Sequence, residues 1–474
     1  MKILYVTSEA APFAKSGGLG DVAGSLPKAL KQKGVDIRVI LPLYRDIPDS
    51  FKKNMEVIGS YEVELNWRKQ ICEISRLTMD DVVYYFIGNS YYFDRDGLYG
   101  YFDEAERYLF FSKAVLDFVP KFDFWPDIVH CNDWQSAIIP FVLEKQYRTH
   151  YRQLKSVLSI HNIKYQGVYG EDTIMDILGL NKEDLTRDIE YKGDTNMMKA
   201  GIYNANWVTT VSPTYAKELE YEYYGEGLHG VIKANNHKMT GILNGIDYGI
   251  YNPQTDKHLY VNYTKSLKKK NENKRQLMKE LDLKYDEDKP LVGIISRLDE
   301  LKGIDLITGV IYEIMKLGLN LVVLGTGDKK YEDVFKHIHN SFPDNISVNI
   351  KFDSATASKI YAASDIILMP SRVEPCGLTQ IIALKYGTIP LVRRTGGLND
   401  TITKFDVVSG EGNGFVFNSY NAHEMLSELN RAVCLFRVNR DSWNKLVANA
   451  FKSRFDWSQS ANQYIEIYDK LIKG

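Results

Sequence analysis

The sequence predicts an α/β fold of two doubly wound domains facing a central cleft. Three observations point there. Short apolar runs alternate with helical patterns along most of the chain, the rhythm of parallel sheets covered on both faces. That rhythm breaks once near the middle and then restarts. At 474 residues the chain has room for two large domains, given roughly 100–200 residues per domain. Ligands of such sheets bind beyond the carboxyl ends of the strands, so two of these edges turned toward each other make a cleft.

Strands are expected at 2–7, 36–41, 82–87, 127–130, 157–160 and 207–211 in the front half. Among the helical patterns, 104–119 is the clearest, because Tyr108, Phe111, Val115 and Phe118 recur at spacings of three and four. Strands follow again at 291–296, 321–324, 348–352, 365–369 and 389–392. The polar stretch 252–274 reads as a hinge or surface excursion, and its run Lys268-Lys269-Lys270 as a solvated face. The C-terminus reads as an amphipathic helix with Ala461, Tyr464, Ile465, Tyr468, Leu471 and Ile472 on one stripe and Ser458 as its N-cap. The expected division is 1–242 for an N-terminal domain, 243–456 for a C-terminal domain and 457–474 for a terminal helix packing back on the first.

Composition excludes several classes. The 59 basic and 61 acidic side chains leave a net charge of -2, so no global positive field invites nucleic acid, and phosphate binding must be local. No apolar run approaches the ~20 residues of a membrane-spanning helix. The first seven residues read as a strand rather than a leader. Cys72, Cys131, Cys376 and Cys434 lie far apart without a CxxC pair, arguing against structural zinc and against a secreted disulfide framework. The expected compartment is the cytoplasm.

Local phosphate signals do exist. The first strand is followed by Lys15-Ser16-Gly17-Gly18-Leu19-Gly20, which opens a helix. Paired glycines let a backbone approach an anion, a helix start offers N–H groups, and Lys15 adds a full charge. The alternative is a glycine pair serving only a tight turn. A dinucleotide fingerprint beginning at Gly18 fits poorly, because about ten residues separate it from the strand and no acid follows the second strand. After the strand at 291–296, Arg297 and Lys302 could both reach a diphosphate, Arg by a two-pronged grip and Lys as a mobile charge. Gly325-Thr326-Gly327 is another, weaker, glycine-rich turn. The densest segment is Pro370 to Gln380, after the strand at 365–369. There Glu374 can accept bonds from sugar hydroxyls, while Gly377, Leu378 and Thr379 offer N–H groups at a helix start, a pairing suited to a nucleotide sugar. Glu374 could instead serve the helix dipole, and Cys376 could be a small buried thiol.

With these residues assembled, the chain resembles bacterial glycogen synthases and plant starch synthases. The resemblance covers nearly the whole length. It rests on Lys15-Ser-Gly-Gly-Leu19, His130-Cys-Asn-Asp-Trp134, His161-Asn-Ile-Lys-Tyr-Gln-Gly167, Val211-Ser-Pro-Thr-Tyr215, Gly241-Ile-Leu-Asn-Gly-Ile-Asp247, Ser296-Arg-Leu298, Glu374-Pro-Cys-Gly-Leu-Thr-Gln380 and Arg393-Arg-Thr-Gly-Gly-Leu398. It implies a retaining transferase of the glycosyltransferase B type, with two Rossmann-like domains, that moves glucose from ADP-glucose to an α-1,4-glucan. It also implies roles. Lys15, with the backbone of Gly17 and Gly18, would meet the ADP phosphates and sugar, and Asp21 and Asn244 would lie close to the donor. Arg297 and Lys302 would bind the diphosphate, with Gly327 nearby. Glu374, Cys376, Gly377 and Leu378 would hold the glucose, and Thr379 would contact the phosphates. His161 and Asp133 would line the acceptor side, and Phe352, at a strand end, would stack on adenine. Many related transferases carry a second carboxylate eight residues after the first; here that position is Ile382.

The departing nucleotide needs its negative charge absorbed. Asp94-Arg-Asp96 and Asp286-Glu-Asp288 have the spacing of metal-binding pairs but read as loop and solvated turn. Three cations and two helix starts are expected to serve without metal or cofactor, with domain closure excluding water. Same-face attack, with the phosphate taking the acceptor's proton, is the expected route, and His161 is a competing proton handler. Tyrosines such as Tyr91, Tyr92 and Tyr221–Tyr224 are candidates for sugar stacking. A UDP-sugar transferase and a non-catalytic glucan-binding scaffold remain the alternatives.

Overall fold

A computed structural model of the chain describes residues 1–121 and 124–474. They form two compact units, Met1–Gly245 with Trp457–Gly474, and Ile246–Asp456. The divide falls at Gly245–Ile246, where the sequence placed it after 242.

The first unit is built on a nine-stranded sheet. Its order is Met239–Gly241, Trp207–Thr210, Lys155–Ile160, Ile128–Asn132, Lys2–Val6, Asp36–Pro42, Val82–Gly88, Arg68–Met79 and Glu56–Leu65. Neighbours are parallel from Met239–Gly241 to Val82–Gly88. The last two strands form an antiparallel hairpin that no apolar run announces. From Tyr61 to Leu65 alternate residues are buried, so only one face of this hairpin meets the core. Ile128–Asn132, in contrast, is buried at every position, as a central parallel strand must be. The chain leaves Lys2–Val6 for Asp36–Pro42 on one side and later returns to Ile128–Asn132 on the other. That reversal is the switch point at which open sheets bind ligands.

The terminal helix, Trp457–Lys473, belongs to this unit. Its buried stripe is Trp457, Ser460, Ala461, Tyr464, Ile467 and Tyr468. Two expectations are corrected. Ile472 is exposed, and Ser458 lies inside the helix rather than before it. Within that stripe Tyr468 OH lies 2.6 Å from His130 Nδ1, whose Nε2 lies 2.7 Å from Ser159 Oγ. Burial holds that imidazole down to about 3, so it is a neutral core group.

The second unit carries a six-stranded, wholly parallel sheet in the order Ile346–Asn349, Asn320–Leu324, Leu291–Ile295, Ile366–Met369, Ile389–Arg393, Phe415–Phe417. Its strands feed two cores by alternation. Val292, Ile294, Leu321 and Val323 join one, and Leu291, Val322, Leu324 and Ile367 join the other. The switch point lies between Leu291–Ile295 and Ile366–Met369.

Part of the expected surface excursion is instead a packed helix, Leu267–Glu280, capped by Ser266. Lys270, Asn273 and Lys274 form its buried face with Leu277 and Met278. The Lys270 ammonium donates to Thr388 Oγ1 at 2.6 Å and Ala362 O at 3.0 Å, and Lys274 pairs with Asp365 at 2.7 Å. Lysine stems cover apolar surface while their heads satisfy carbonyls, so a charge run concealed a core element. Only Lys268 and Lys269 of the run are exposed.

Candidate active site

In the first unit the chemistry gathers beyond the carboxyl ends of the two switch-point strands. The loop after Lys2–Val6 runs into the helix Gly18–Gln32, whose N-cap is Gly17. Glu9 organises that loop. Its buried carboxylate accepts bonds from Ser16 N at 2.7 Å, Ser16 Oγ at 2.6 Å, Gly17 N at 3.2 Å and Tyr99 OH at 2.7 Å. The amides of Ser16 and Gly17 are therefore already engaged. Lys15 pairs with Asp21 at 2.7 Å, yet burial still pushes the Asp21 carboxyl up, with Glu9 nearby adding to the rise. A Cβ built on Gly17 or Gly18 would meet no heavy atom within 4 Å. Local packing does not demand glycine at either position.

Asp133 follows the neighbouring strand, Ile128–Asn132. Its backbone is held at φ 53° and ψ -176°, a region costly for any residue but glycine and concentrated at functional sites. Its Oδ1 accepts bonds from His161 N at 2.7 Å and Asn162 N at 3.3 Å. Burial dominates over those bonds and, with the Glu9 charge beside it, raises the carboxyl to about 7. His161 Nε2 lies 2.9 Å from Asn132 Oδ1, and Asn132 Nδ2 donates to Val6 O at 2.9 Å. That amide orientation assigns the proton of His161 to Nε2 and the free lone pair to Nδ1. Burial lowers the imidazole to about 4, so it is neutral and weakly basic at pH 7. Asn244 is buried near the end of this unit's first segment, and its Oδ1 has no partner among the described residues.

The second unit repeats the plan. After Leu291–Ile295, Arg297 is exposed, its Nη1 only 3.5 Å from Asp299. Asp299 caps the short turn Glu300–Lys302 by accepting from Lys302 N at 3.0 Å. After Ile366–Met369 comes the loop bearing Glu374. Glu374 is buried, and its Oε2 accepts bonds from Lys302 Nζ at 2.7 Å and Ser371 Oγ at 3.0 Å. The two segments are bound together: Arg372 N donates to Leu301 O at 2.9 Å. Gly303 takes a left-handed φ of 72° where a Cβ would fall 2.2 Å from Pro370 O. Gly396, at φ 43°, lets the chain pass so close that a Cβ would lie 1.9 Å from Glu374 O.

The remaining expected residues fall as follows. Cys376 is buried, Gly377 takes φ 72°, and Leu378 is the N-cap of Thr379–Lys385. Gly327 N is engaged by Glu332 Oε1 at 3.1 Å, and Leu298 O crowds the place of a Cβ, so this glycine already has a structural reason. Phe352 is not at a strand end, because the strand stops at Asn349; it stands 85% exposed before the helix Ser354–Ala363. Arg45 binds both Asp94 and Asp96, at 2.9 and 3.1 Å. Asp288 pairs with Arg440. Sequence reasoning assigned no role to Glu9, Ser371 or Arg393. The Arg393 guanidinium, on a strand otherwise apolar, was the one legible signal.

Comparison with known proteins fits these two units. The family model described as starch synthase catalytic domain matches residues 2–234, and that of glycosyl transferases group 1 matches residues 278–443. Glycogen synthase of Alkaliphilus metalliredigens is 46% identical over 99% of this chain and 100% of its own length. The chain belongs to the glycogen and starch synthase family. Glycogen synthase of Clostridioides difficile is 47% identical over 99% of both chains. Among solved structures, the catalytic domain of starch synthase IV from Arabidopsis thaliana, bound to ADP and acarbose, superposes with a TM-score of 0.93 at 34% identity, covering 100% of this chain and 99% of that one. Sucrose-phosphate synthase of Thermosynechococcus elongatus shares the fold, with a TM-score of 0.62 at 16% identity. As a member of this family the chain is a glycosyltransferase of the two-domain α/β type.

Proposed function

We propose that the chain transfers glucose from ADP-glucose to the non-reducing end of an α-1,4-glucan with retention of configuration. The observation that carries this reading is the Lys302–Glu374 pair at 2.7 Å, its carboxylate buried, set where a parallel sheet binds ligands. A carboxylate able to accept from sugar hydroxyls and an ammonium able to meet a diphosphate are held side by side. The glycogen synthases among its relatives, and the ADP carried by the Arabidopsis starch synthase, point to the same donor and acceptor classes.

The roles proposed for individual residues are those the family resemblance implies. In the second unit Arg297 and Lys302 are assigned to the donor's diphosphate; in the first, Lys15, with the Cβ-free backbone of Gly17 and Gly18, is assigned to its phosphates and sugar. Asp21 and Asn244 of the first unit are assigned to donor contacts, as are the Gly327 turn and Phe352 of the second, Phe352 by stacking on the base. Glu374, with Cys376, Gly377 and Leu378, holds the glucose, and Thr379 contacts the phosphates. A charge-assisted hydrogen bond nets ~1.5–3 kcal/mol. Three cations therefore supply ~5–9 kcal/mol of the ~8–23 kcal/mol that enzymes remove from a barrier. As the glycosidic bond breaks, these cations hold the nucleotide's growing charge.

Glu374 is assigned to the sugar hydroxyls, and the position of a second carboxylate is Ile382, so no nucleophile is assigned to the opposite face: the acceptor attacks from the face that the leaving group vacates, and the departing phosphate takes its proton. His161, lowered to about 4, is a weak base that orients through Nδ1. Asp133 fixes the His161–Asn162 segment and lines the acceptor side. The decisive assay uses labelled ADP-glucose and glycogen with EDTA present. Chain elongation is expected with the native protein and almost none with Glu374→Ala. Faster transfer from UDP-glucose would overturn the donor, dependence on an added divalent ion would overturn the cation cage, and a trapped glycosyl–enzyme adduct would overturn same-face attack.

A further inference from the structure

We propose that Ser371 and Arg393 are positioning residues that decide which oxygen of Glu374 faces the sugar. The inference rests on Glu374 being the sugar-holding carboxylate and goes beyond that reading. Among the described residues, both hydrogen bonds to this carboxylate, from Lys302 Nζ at 2.7 Å and Ser371 Oγ at 3.0 Å, end on Oε2. Oε1 is left as the atom presented to substrate. Lys302 is a shared donor, because a diphosphate competes for its ammonium. When the nucleotide draws it away, Ser371 is the donor that remains on Oε2. Without that donor the carboxylate can turn about its last bond and exchange the two oxygens.

A serine hydroxyl does this only if its own backbone is held, and Arg393 holds it. Arg393 ends the strand Ile389–Arg393, paired in register with Ile366–Met369, so its side chain reaches the loop that continues the neighbouring strand. It is buried, and its guanidinium donates to Ser371 O at 2.8 Å, Arg372 O at 2.5 Å and Asn418 O at 3.4 Å. These bonds go to main-chain carbonyls, two of them in the loop that carries Ser371. Lysine, with a single head, cannot span the two loop carbonyls as a planar fork does.

The test is steady-state transfer from ADP-glucose to glycogen by Ser371→Ala, Ser371→Thr, Arg393→Lys and Glu374→Ala, with ADP affinity by calorimetry and Tm alongside. Ser371→Ala should lower kcat about 10- to 100-fold, the worth of one charge-assisted hydrogen bond. ADP affinity should stay within about twofold, because the nucleotide does not touch this oxygen. Ser371→Thr, which keeps the hydroxyl, should recover most of kcat. Arg393→Lys should lower kcat in the same way, and combining it with Ser371→Ala should add less than about threefold, as for residues acting through one contact. Native kcat in Ser371→Ala, with Glu374→Ala inactive, overturns the positioning role while leaving the role of Glu374 intact. An active Glu374→Ala removes the reading of Glu374 and this inference with it. If kcat, ADP affinity and Tm fall together and threonine is no better than alanine, Ser371 is only part of the loop's packing and the inference fails.

Discussion

Asp133→Asn should lose activity and gain stability, because one environment governs both. Burial raises the Asp133 carboxyl from 3.8 to about 7 against the opposing bonds from His161 and Asn162, while the Glu9 charge adds to the rise. The folded chain thus keeps this proton up to about pH 7, whereas the unfolded chain gives it up near 3.8. Between those values the folded state binds more protons, so stability falls as pH rises, and it levels off above 7. The gap, 7 − 3.8, is about three pH units, and at 1.36 kcal/mol per unit the penalty has a ceiling of about 4 kcal/mol. Asp133 retains partial solvent contact, which reduces the expected cost to about 2 kcal/mol. Asparagine does not titrate, and its Oδ1 can still accept from the same two amides. Urea unfolding of both proteins at pH 5 and pH 8 should therefore show the variant ahead by a margin that widens by about 1 kcal/mol between the two pH values. The kcat for glucan elongation should fall about tenfold or more at pH 8, where asparagine removes the carboxylate's negative charge from the acceptor side. A margin equal at both pH values, or a variant less stable at pH 8, would refute the reasoning.

Glu9→Gln leaves one acceptor oxygen where two carboxylate oxygens serve Ser16 N, Ser16 Oγ, Gly17 N and Tyr99 OH; the loop should loosen and the KM for ADP-glucose should rise about tenfold by initial-rate kinetics. Gly396→Ala drives a Cβ against the main-chain carbonyl of Glu374 from a left-handed φ; shifting the backbone that carries the Glu374 carboxylate should cost about 100-fold in kcat while ADP binding, read by calorimetry, is largely retained. Tyr468→Phe leaves His130 Nδ1 without its partner; thermal unfolding should show a loss of about 1–3 kcal/mol, the penalty for an unsatisfied buried group.

What was legible in the sequence follows from how each element is buried. Strands such as Asn320–Leu324 are covered on both faces, so they appear as apolar runs. The hairpin Glu56–Leu65 and Arg68–Met79 lies at the sheet edge with one solvated face, and its polar alternation gave no run to recognise. Leu267–Glu280 was hidden for a different reason. Its buried face includes Lys270 and Lys274, whose heads satisfy Ala362 O, Thr388 and Asp365, and residue type alone reads as solvent exposure. Ile472 failed the opposite way: it fits the periodic stripe, but the end of the helix carries it out of contact.

The candidate site was legible where function needs an unusual residue type near a strand end, and silent where it needs an ordinary one. Lys15, Arg297, Lys302 and Glu374 are charges or glycine neighbours in glycine-rich turns, and such residues draw notice. Glu9 and Ser371 are common residues whose importance lies in what they hold, and that depends on three-dimensional neighbours. The sheet order makes the distinction physical. In each unit the chain reverses direction across the sheet between two adjacent strands: Lys2–Val6 and Ile128–Asn132 in the first, Leu291–Ile295 and Ile366–Met369 in the second. The loops leaving such a pair diverge, so their main-chain groups face a gap rather than each other. A charge placed there has no neighbouring strand to fix it and needs a polar brace from the loop itself. Glu9 binding Ser16 and Gly17, Asp133 binding His161 and Asn162, and Ser371 binding Glu374 are those braces. A transferase that must keep opposite charges ready for a nucleotide sugar therefore commits part of its polar inventory to holding them still. Replacing a brace should lower kcat before it lowers Tm, and that order separates a braced charge from one that is merely buried.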